Sequence, residues 1–276
     1  MKAVRFIGDD GAPRLGALDG DVVRDAGPCN GGGFVPSPEG WARIGVANGA
    51  EHPLGELRLL HPVVPSKIVA IGLNYRAHAV ESELDFPDVP VVFAKFPSSL
   101  IGPGEPIVIP REETRPDWEG EVAVVIGRRT YRADPAQALE SVGGITALND
   151  VSGRRAQLET PLRQFTLGKS FDTFTPMGPA IVAADGLDLA DIDLRTTISG
   201  ELMQEANTAD LIFSIVELIS YLSAGVTLEP GDVIATGTPA GVGDSRVPPR
   251  YLRDGDVVEI VVGGVGTLVN PVMLER

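Results

Sequence analysis

Apolar, β-branched residues run together at positions 121–126, Glu-Val-Ala-Val-Val-Ile, and stop at Gly127; this pattern predicts a buried strand. Comparable runs at 67–73, 91–95, 107–109 and 144–149 predict further strands. A different spacing occurs after Ser214. There Ser214-Ile215-Val216-Glu217 reads as a capping box, and Ile215, Leu218, Ile219 and Leu222 fall on one helical face that Gly225 closes. Asp134-Pro135 starts a second helix, an N-cap followed by proline at the first helical position, and Gly143-Gly144 is expected to end it. Turns at Pro230-Gly231, Asp254-Gly255 and Gly263-Gly264 introduce strands at 232–236, 256–262 and 267–270.

Near the start of the chain, residues 2–6, 15–18 and 21–24 predict short strands, followed by the turn-forming Asn30-Gly31-Gly32-Gly33. The prolines of His61-Pro62-Val63-Val64-Pro65-Ser66 favour an extended connector. They divide the chain into a small β-rich N-terminal module, residues 1–61, and a larger domain, residues 62–276. Strands dominate and do not alternate regularly with helices. The expected class is therefore β-dominated α+β rather than a doubly wound sheet.

Composition narrows the function. At 276 residues and 43% hydrophobic, the chain can bury a large core, yet no apolar run approaches the ~18 residues of a membrane span. Two aspartates in the first ten residues exclude a signal-peptide core, and Cys29 has no second cysteine to pair with, so a cytoplasmic location is expected. A net charge of −15 argues against nucleic-acid binding. It leaves open a small anionic substrate, for which one local cation cluster suffices. Only four lysines stand against 19 arginines, which draws attention to Lys95 and Lys169.

Glu119 and Glu121 lead directly into the strand at 121–126, and residues two apart in an extended chain share a face. Either both reach water from a strand end or a cation lies between them. Asp150, at the end of the strand at 144–149, would complete an all-oxygen set suited to Mg²⁺ or Mn²⁺. His78 and Glu81 are i,i+3 neighbours if the chain turns helically after Tyr75; they form a general base with its orienting carboxylate, or a surface pair. Lys169 could neutralise a substrate carboxylate or enolate, or pair locally with Asp172. The run Gly237–Gly243 is either a nest for an anion or a tight turn.

In this order the segments resemble the fumarylacetoacetate hydrolase family over roughly residues 62–276: Lys67-Ile68-Val69-Ala70-Ile71-Gly72-Leu73-Asn74-Tyr75 with His78 and Glu81, Phe93-Ala94-Lys95, Trp118-Glu119-Gly120-Glu121, Asn149-Asp150, Gly168-Lys169-Ser170-Phe171-Asp172-Thr173-Phe174 and Gly231-Asp232-Val233-Ile234-Ala235-Thr236-Gly237-Thr238-Pro239. The resemblance implies a rolled, mixed β-sandwich catalytic domain, a homodimer, and one Mg²⁺ or Mn²⁺ ion per site. It puts the metal ligands on Glu119, Glu121 and Asp150, the water-activating pair on His78 and Glu81, and the active-site lysine on Lys169. Substrate contacts fall on Tyr75, Arg154, Gln157 and Thr238. Two positions depart from the pattern. Arg155 stands where many relatives have aspartate, and Leu73 stands where several have arginine.

The expected activity is a metal-dependent hydrolase that cleaves a C–C bond in a 2,4-diketo acid, with a small anionic 2-oxo acid as substrate. The alternative is decarboxylation or keto–enol isomerisation of a 2-oxo dicarboxylate by the same chemistry without water.

Overall fold

The computed structural model describes residues 1–29 and 31–276; Asn30 of the predicted turn lies outside the described residues. Two mixed sheets face each other. The larger has twelve strands. Its main path runs from Glu51–Pro53 through Val22–Pro28, Pro13–Asp19, Lys2–Ile7, Thr175–Ala183, Val142–Asn149, Gly120–Ile126, Val233–Ala235 and Ile68–Gly72 to Val91–Lys95. The smaller sheet has five strands, in the order Glu201–Asn207, Asp193–Ile198, Val257–Val262, Gly266–Leu274 and Ile107–Ile109. The β-dominated α+β sandwich expected from the sequence is the fold adopted.

Strand Gly120–Ile126 shows why its sequence is apolar throughout. Val122, Val124 and Ile126 join the core shared with Leu194, Val258, Ile260 and Leu268 of the smaller sheet. Ala123 and Val125 face the other way, into a core containing Phe34, Trp41 and Ile44. Both faces are covered, so alternation with polar residues is lost. Gly120 fits closely over the smaller sheet: a Cβ there would lie 2.1 Å from Thr196 Oγ1. Neighbouring side chains alternate in direction, which turns Glu119 and Glu121 away from that sheet together.

Both predicted helix starts carry reciprocal capping boxes, at Asp134–Gln137 and Ser214–Glu217. The first helix, Pro135–Glu140, ends before the predicted glycines, because Val142 is already paired with Ile126 in the sheet. Strand Thr175–Ala183 was absent from the predicted strands, since Pro176 and Pro179 break its apolar run. It is nonetheless fully buried at the centre of the large sheet. Its pairing with Val142–Asn149 is irregular between Ala147↔Gly178 and Ile145↔Val182, the stretch where Pro179 has no N–H to offer. The hairpin Asp193–Ile198 to Glu201–Asn207 was also missed; it turns through Ser199 and Gly200, both at positive φ. Among the described residues no helix is long and apolar enough to cross a membrane.

Candidate active site

Register brings the carboxylates together. Gly120 pairs with Asn149, and the Asp150 amide donates to the Glu119 carbonyl at 2.8 Å, so the start of one strand meets the end of its neighbour. Glu119, Glu121 and Asp150 are all buried, and each offers an oxygen within 4.8 Å of the others. This cluster could hold a metal ion. The donor set fits a hard divalent cation, being three carboxylates with no thiolate or imidazole.

Two buried ammonium groups share these acids. Lys169 Nζ donates to Glu119 Oε2 at 2.6 Å and to Asp150 Oδ2 at 2.7 Å. It lies 5.2 Å from the centre of the Phe93 ring. The local alternative, pairing with Asp172, is not what the fold does. Lys95 Nζ donates to Asp150 Oδ1 at 2.7 Å and to the backbone carbonyl of Lys169. Lys95 was singled out by composition, but no role was assigned to it. Its position, 55 residues from Asp150 in the chain, carries no local signature.

Arg154 completes the cluster. Its guanidinium lies 2.7 Å from Glu119 and 2.8 Å from Asp117, and it donates to Gln157 Oε1 at 3.0 Å. It opens the helix Arg154–Leu158, whose first amides, those of Arg155 and Ala156, both donate to buried Glu113. Arg155 points elsewhere: it is exposed and donates to the Glu112 carbonyl at 2.7 Å. Of the two adjacent arginines, the helix phase turns Arg154 to the cleft, as the resemblance implied.

The electrostatics follow from burial and pairing. For Glu119, burial favours the neutral acid, but Lys169 and Arg154 outweigh it and hold the carboxyl down at about 2. Glu121 goes the opposite way. Burial, reinforced by Asp150 and Glu119, raises it well above the usual range, with only the Gly237 amide and Lys169 in opposition. Burial lowers Lys95 despite Asp150. Burial also works against Lys169, yet Asp150 and Glu119 leave it raised.

Of the two readings offered for the glycine-rich loop, anion nest or tight turn, its amides fit the first, with the anions supplied by the chain itself. Its amides hold the protein's own acids: Gly237 N–H donates to Glu121, Gly241 N–H to Glu81, and Gly243 N–H to Asp117, at 2.9, 2.9 and 2.7 Å. Gly241 must be glycine, because a Cβ would sit 2.0 Å from the Met203 carbonyl and its φ is +104°. Thr238 is similarly occupied, donating to the Gly120 carbonyl and accepting from Gln204. Asp117 and Gln204 are the residues that motif reading missed. They act through long-range hydrogen bonds, to loop amides 126 and 127 residues away in one case and to Thr238 in the other.

His78 lies on the short helix Arg76–Glu81, with Nδ1 at 3.3 Å from Glu81 Oε2. It lines a cleft of about 270 Å³ together with Leu73, Phe93, Glu119, Arg154 and Lys169. Gln157 and Thr238 border the same cleft. Tyr75 does not: its ring is fully buried near Glu121, with a hydroxyl lacking any hydrogen-bond partner among the described residues.

The sequence and the fold also resemble those of known proteins. Residues 67–273 match the family model described as fumarylacetoacetate (FAA) hydrolase C-terminal. The chain is 39% identical over 290 residues to a mitochondrial oxaloacetate tautomerase of Xenopus laevis, covering 99% of this chain and 90% of that protein. It is 42% identical over 223 residues to a mitochondrial oxaloacetate tautomerase of Bos taurus, covering 80% of this chain and 71% of the relative. A solved structure of 5-carboxymethyl-2-hydroxymuconate delta-isomerase from Mycobacterium smegmatis superposes with a TM-score of 0.83 at 38% identity, covering both chains fully. These tautomerase and isomerase names overturn the expectation of a hydrolase acting on C–C bonds. The physical reason is that buried cations beside a carboxylate cluster suit both reactions, since each develops negative charge on a 2-oxo acid. They do not distinguish the reactions by themselves.

Proposed function

Since the chain belongs to the fumarylacetoacetate hydrolase family, we propose that it catalyses keto–enol isomerisation of a 2-oxo dicarboxylate. The observation that carries this reading is Lys169, buried between Glu119 and Asp150 yet lining the cleft that His78 also lines. The relatives' names support isomerisation over the other chemistries of the family.

We assign Glu119, Glu121 and Asp150 to one divalent ion, Mg²⁺ or Mn²⁺, which when bound would supply Lewis acidity toward the 2-oxo acid. The chain's own groups supply the rest. Glu81, anchored by the Gly241 amide, accepts from His78 Nδ1 and leaves Nε2 free. That nitrogen takes a proton from the carbon next to the 2-oxo group. Two of the three Lys169 N–H bonds are used by Glu119 and Asp150, so the third is free to face the substrate oxygen where negative charge develops. The imidazolium then returns its proton to that oxygen, giving the enol, and the reverse path restores the ketone. No water enters either product.

Ultraviolet absorbance of oxaloacetate, started from either tautomer, tests this directly. Addition of the enzyme with Mg²⁺ or Mn²⁺ should speed equilibration from both sides, and EDTA should remove the effect. Equilibration at the uncatalysed rate with the ion present would refute the proposal.

A further inference from the structure

We propose that Arg163 is a specificity-determining residue that binds the far carboxylate of the substrate, so that the enzyme selects 2-oxo dicarboxylates over 2-oxo monocarboxylates. This rests on the keto–enol reading of the same cleft.

The case starts from how positive charge is distributed along the cleft. Arg154 is held between Asp117 and Glu119, and Lys169 between Glu119 and Asp150. Arg163 lines the same cleft, and no carboxylate among the described residues lies within ion-pair distance of it. Deep in the site, the buried cations Lys95, Arg154 and Lys169 are all held by the buried acids Asp117, Glu119 and Asp150. Positive charge to spare for a second substrate carboxylate is therefore found at the rim, on Arg163.

Its placement in the chain supports the assignment. Arg163 lies between the helices Arg154–Leu158 and Phe165–Gly168, which deliver Arg154 and Lys169. The connecting segment is tied back next to Arg163, where the Gln164 amide donates to the Gln157 carbonyl at 2.9 Å. The cleft that holds the groups for the 2-oxo acid head thus also offers a guanidinium. Apolar Leu73, Val91, Phe93 and Phe165 line the space along which the substrate's carbon chain would lie. Leu73 itself offers no charge, so a second carboxylate needs a cation from another segment. A planar guanidinium suits it, because it pairs with a carboxylate through two parallel hydrogen bonds.

The test compares oxaloacetate with 2-oxobutanoate, which has the same carbon count but no far carboxylate. In Arg163→Ala, KM for oxaloacetate should rise about 10- to 100-fold, the value of one charge-assisted contact. The kcat for oxaloacetate should change little, and KM or the inhibition constant for 2-oxobutanoate should stay as in the wild type. Arg163→Lys should recover part of the loss. Raising ionic strength should weaken oxaloacetate binding to the wild type more than to Arg163→Ala, because a rim contact is screened. Equal changes for both acids, or no change for oxaloacetate, would overturn the proposal. Calorimetric binding of the same two acids to wild type and Arg163→Ala separates this failure from failure of the keto–enol reading. A wild-type preference for the dicarboxylate that disappears in the variant upholds Arg163 even without turnover. Absence of that preference in the wild type refutes it.

Discussion

The floor and the rim of the cleft are built on opposite terms. On the floor, Glu119, Glu121, Asp150, Lys95 and Lys169 are buried, come from strand ends and short segments beside them, and have every charge answered by another charge or a backbone amide. At the rim, His78 sits on a helix of six residues and Arg163 on an exposed connecting segment. Burial makes floor charges strong and mutually dependent, because a charge left unpaired in a low dielectric is costly. The rim groups have fewer charged partners, His78 only Glu81 and the exposed Arg163 none among the described residues, so each is more independently replaceable. In the reaction proposed above, the floor would sustain developing charge, and the rim would move the proton and read the substrate.

The largest effect should come from breaking the floor. Asp150→Ala strands Lys95 without its carboxylate and removes one of two from Lys169, so it should destabilise the fold by about 3–5 kcal/mol. Urea unfolding reads this, and calorimetric Mn²⁺ titration should show binding lost. Unchanged stability would mean that the two lysines do not depend on Asp150. His78→Ala should instead leave unfolding within about 0.5 kcal/mol of wild type. Its kcat should fall by ~10²–10⁴, as for loss of a general base, with Mn²⁺ affinity retained. A comparable loss of Mn²⁺ affinity would erase the distinction between floor and rim.

Asp117→Asn probes the boundary between the two. Asp117 holds Arg154 and accepts from the Gly243 and Asp244 amides, so it is a positioning residue. Losing its charge should lower kcat/KM by roughly tenfold, equivalent to ~1.4 kcal/mol. An otherwise unaltered pH profile, together with rescue of kcat/KM in Asp117→Glu, would mark positioning rather than proton transfer. The smallest effect belongs to Arg155→Ala. That exposed side chain should change stability by no more than about 0.5 kcal/mol and leave the kinetics alone. A clear kinetic defect there would reverse the choice of Arg154 as the cleft residue.

Much of this molecule could be read from short windows. The capping boxes at Asp134 and Ser214, the strand that follows Glu119-Gly120-Glu121, and the shared face of those two glutamates all depend on neighbours within a few residues, whereas strand pairing brings Asp150 to them. The hydrolase expectation failed for a different reason: the same groups serve two reactions, and spacing does not say whether water takes part.

What the sequence by itself determined was local: which stretches are strand or helix, where they begin, and which acids share a strand face. Tertiary structure alone decided the rest. Thr175–Ala183 became a central strand despite two prolines because its pairing is irregular beside Pro179. The Gly237–Gly243 amides went to Glu121, Glu81 and Asp117, and Lys95 came to rest on Asp150. These last four contacts are hydrogen bonds between groups 55 to 160 residues apart. A buried donor or acceptor must find a partner wherever the fold supplies one. No periodicity along the chain encodes which partner that will be.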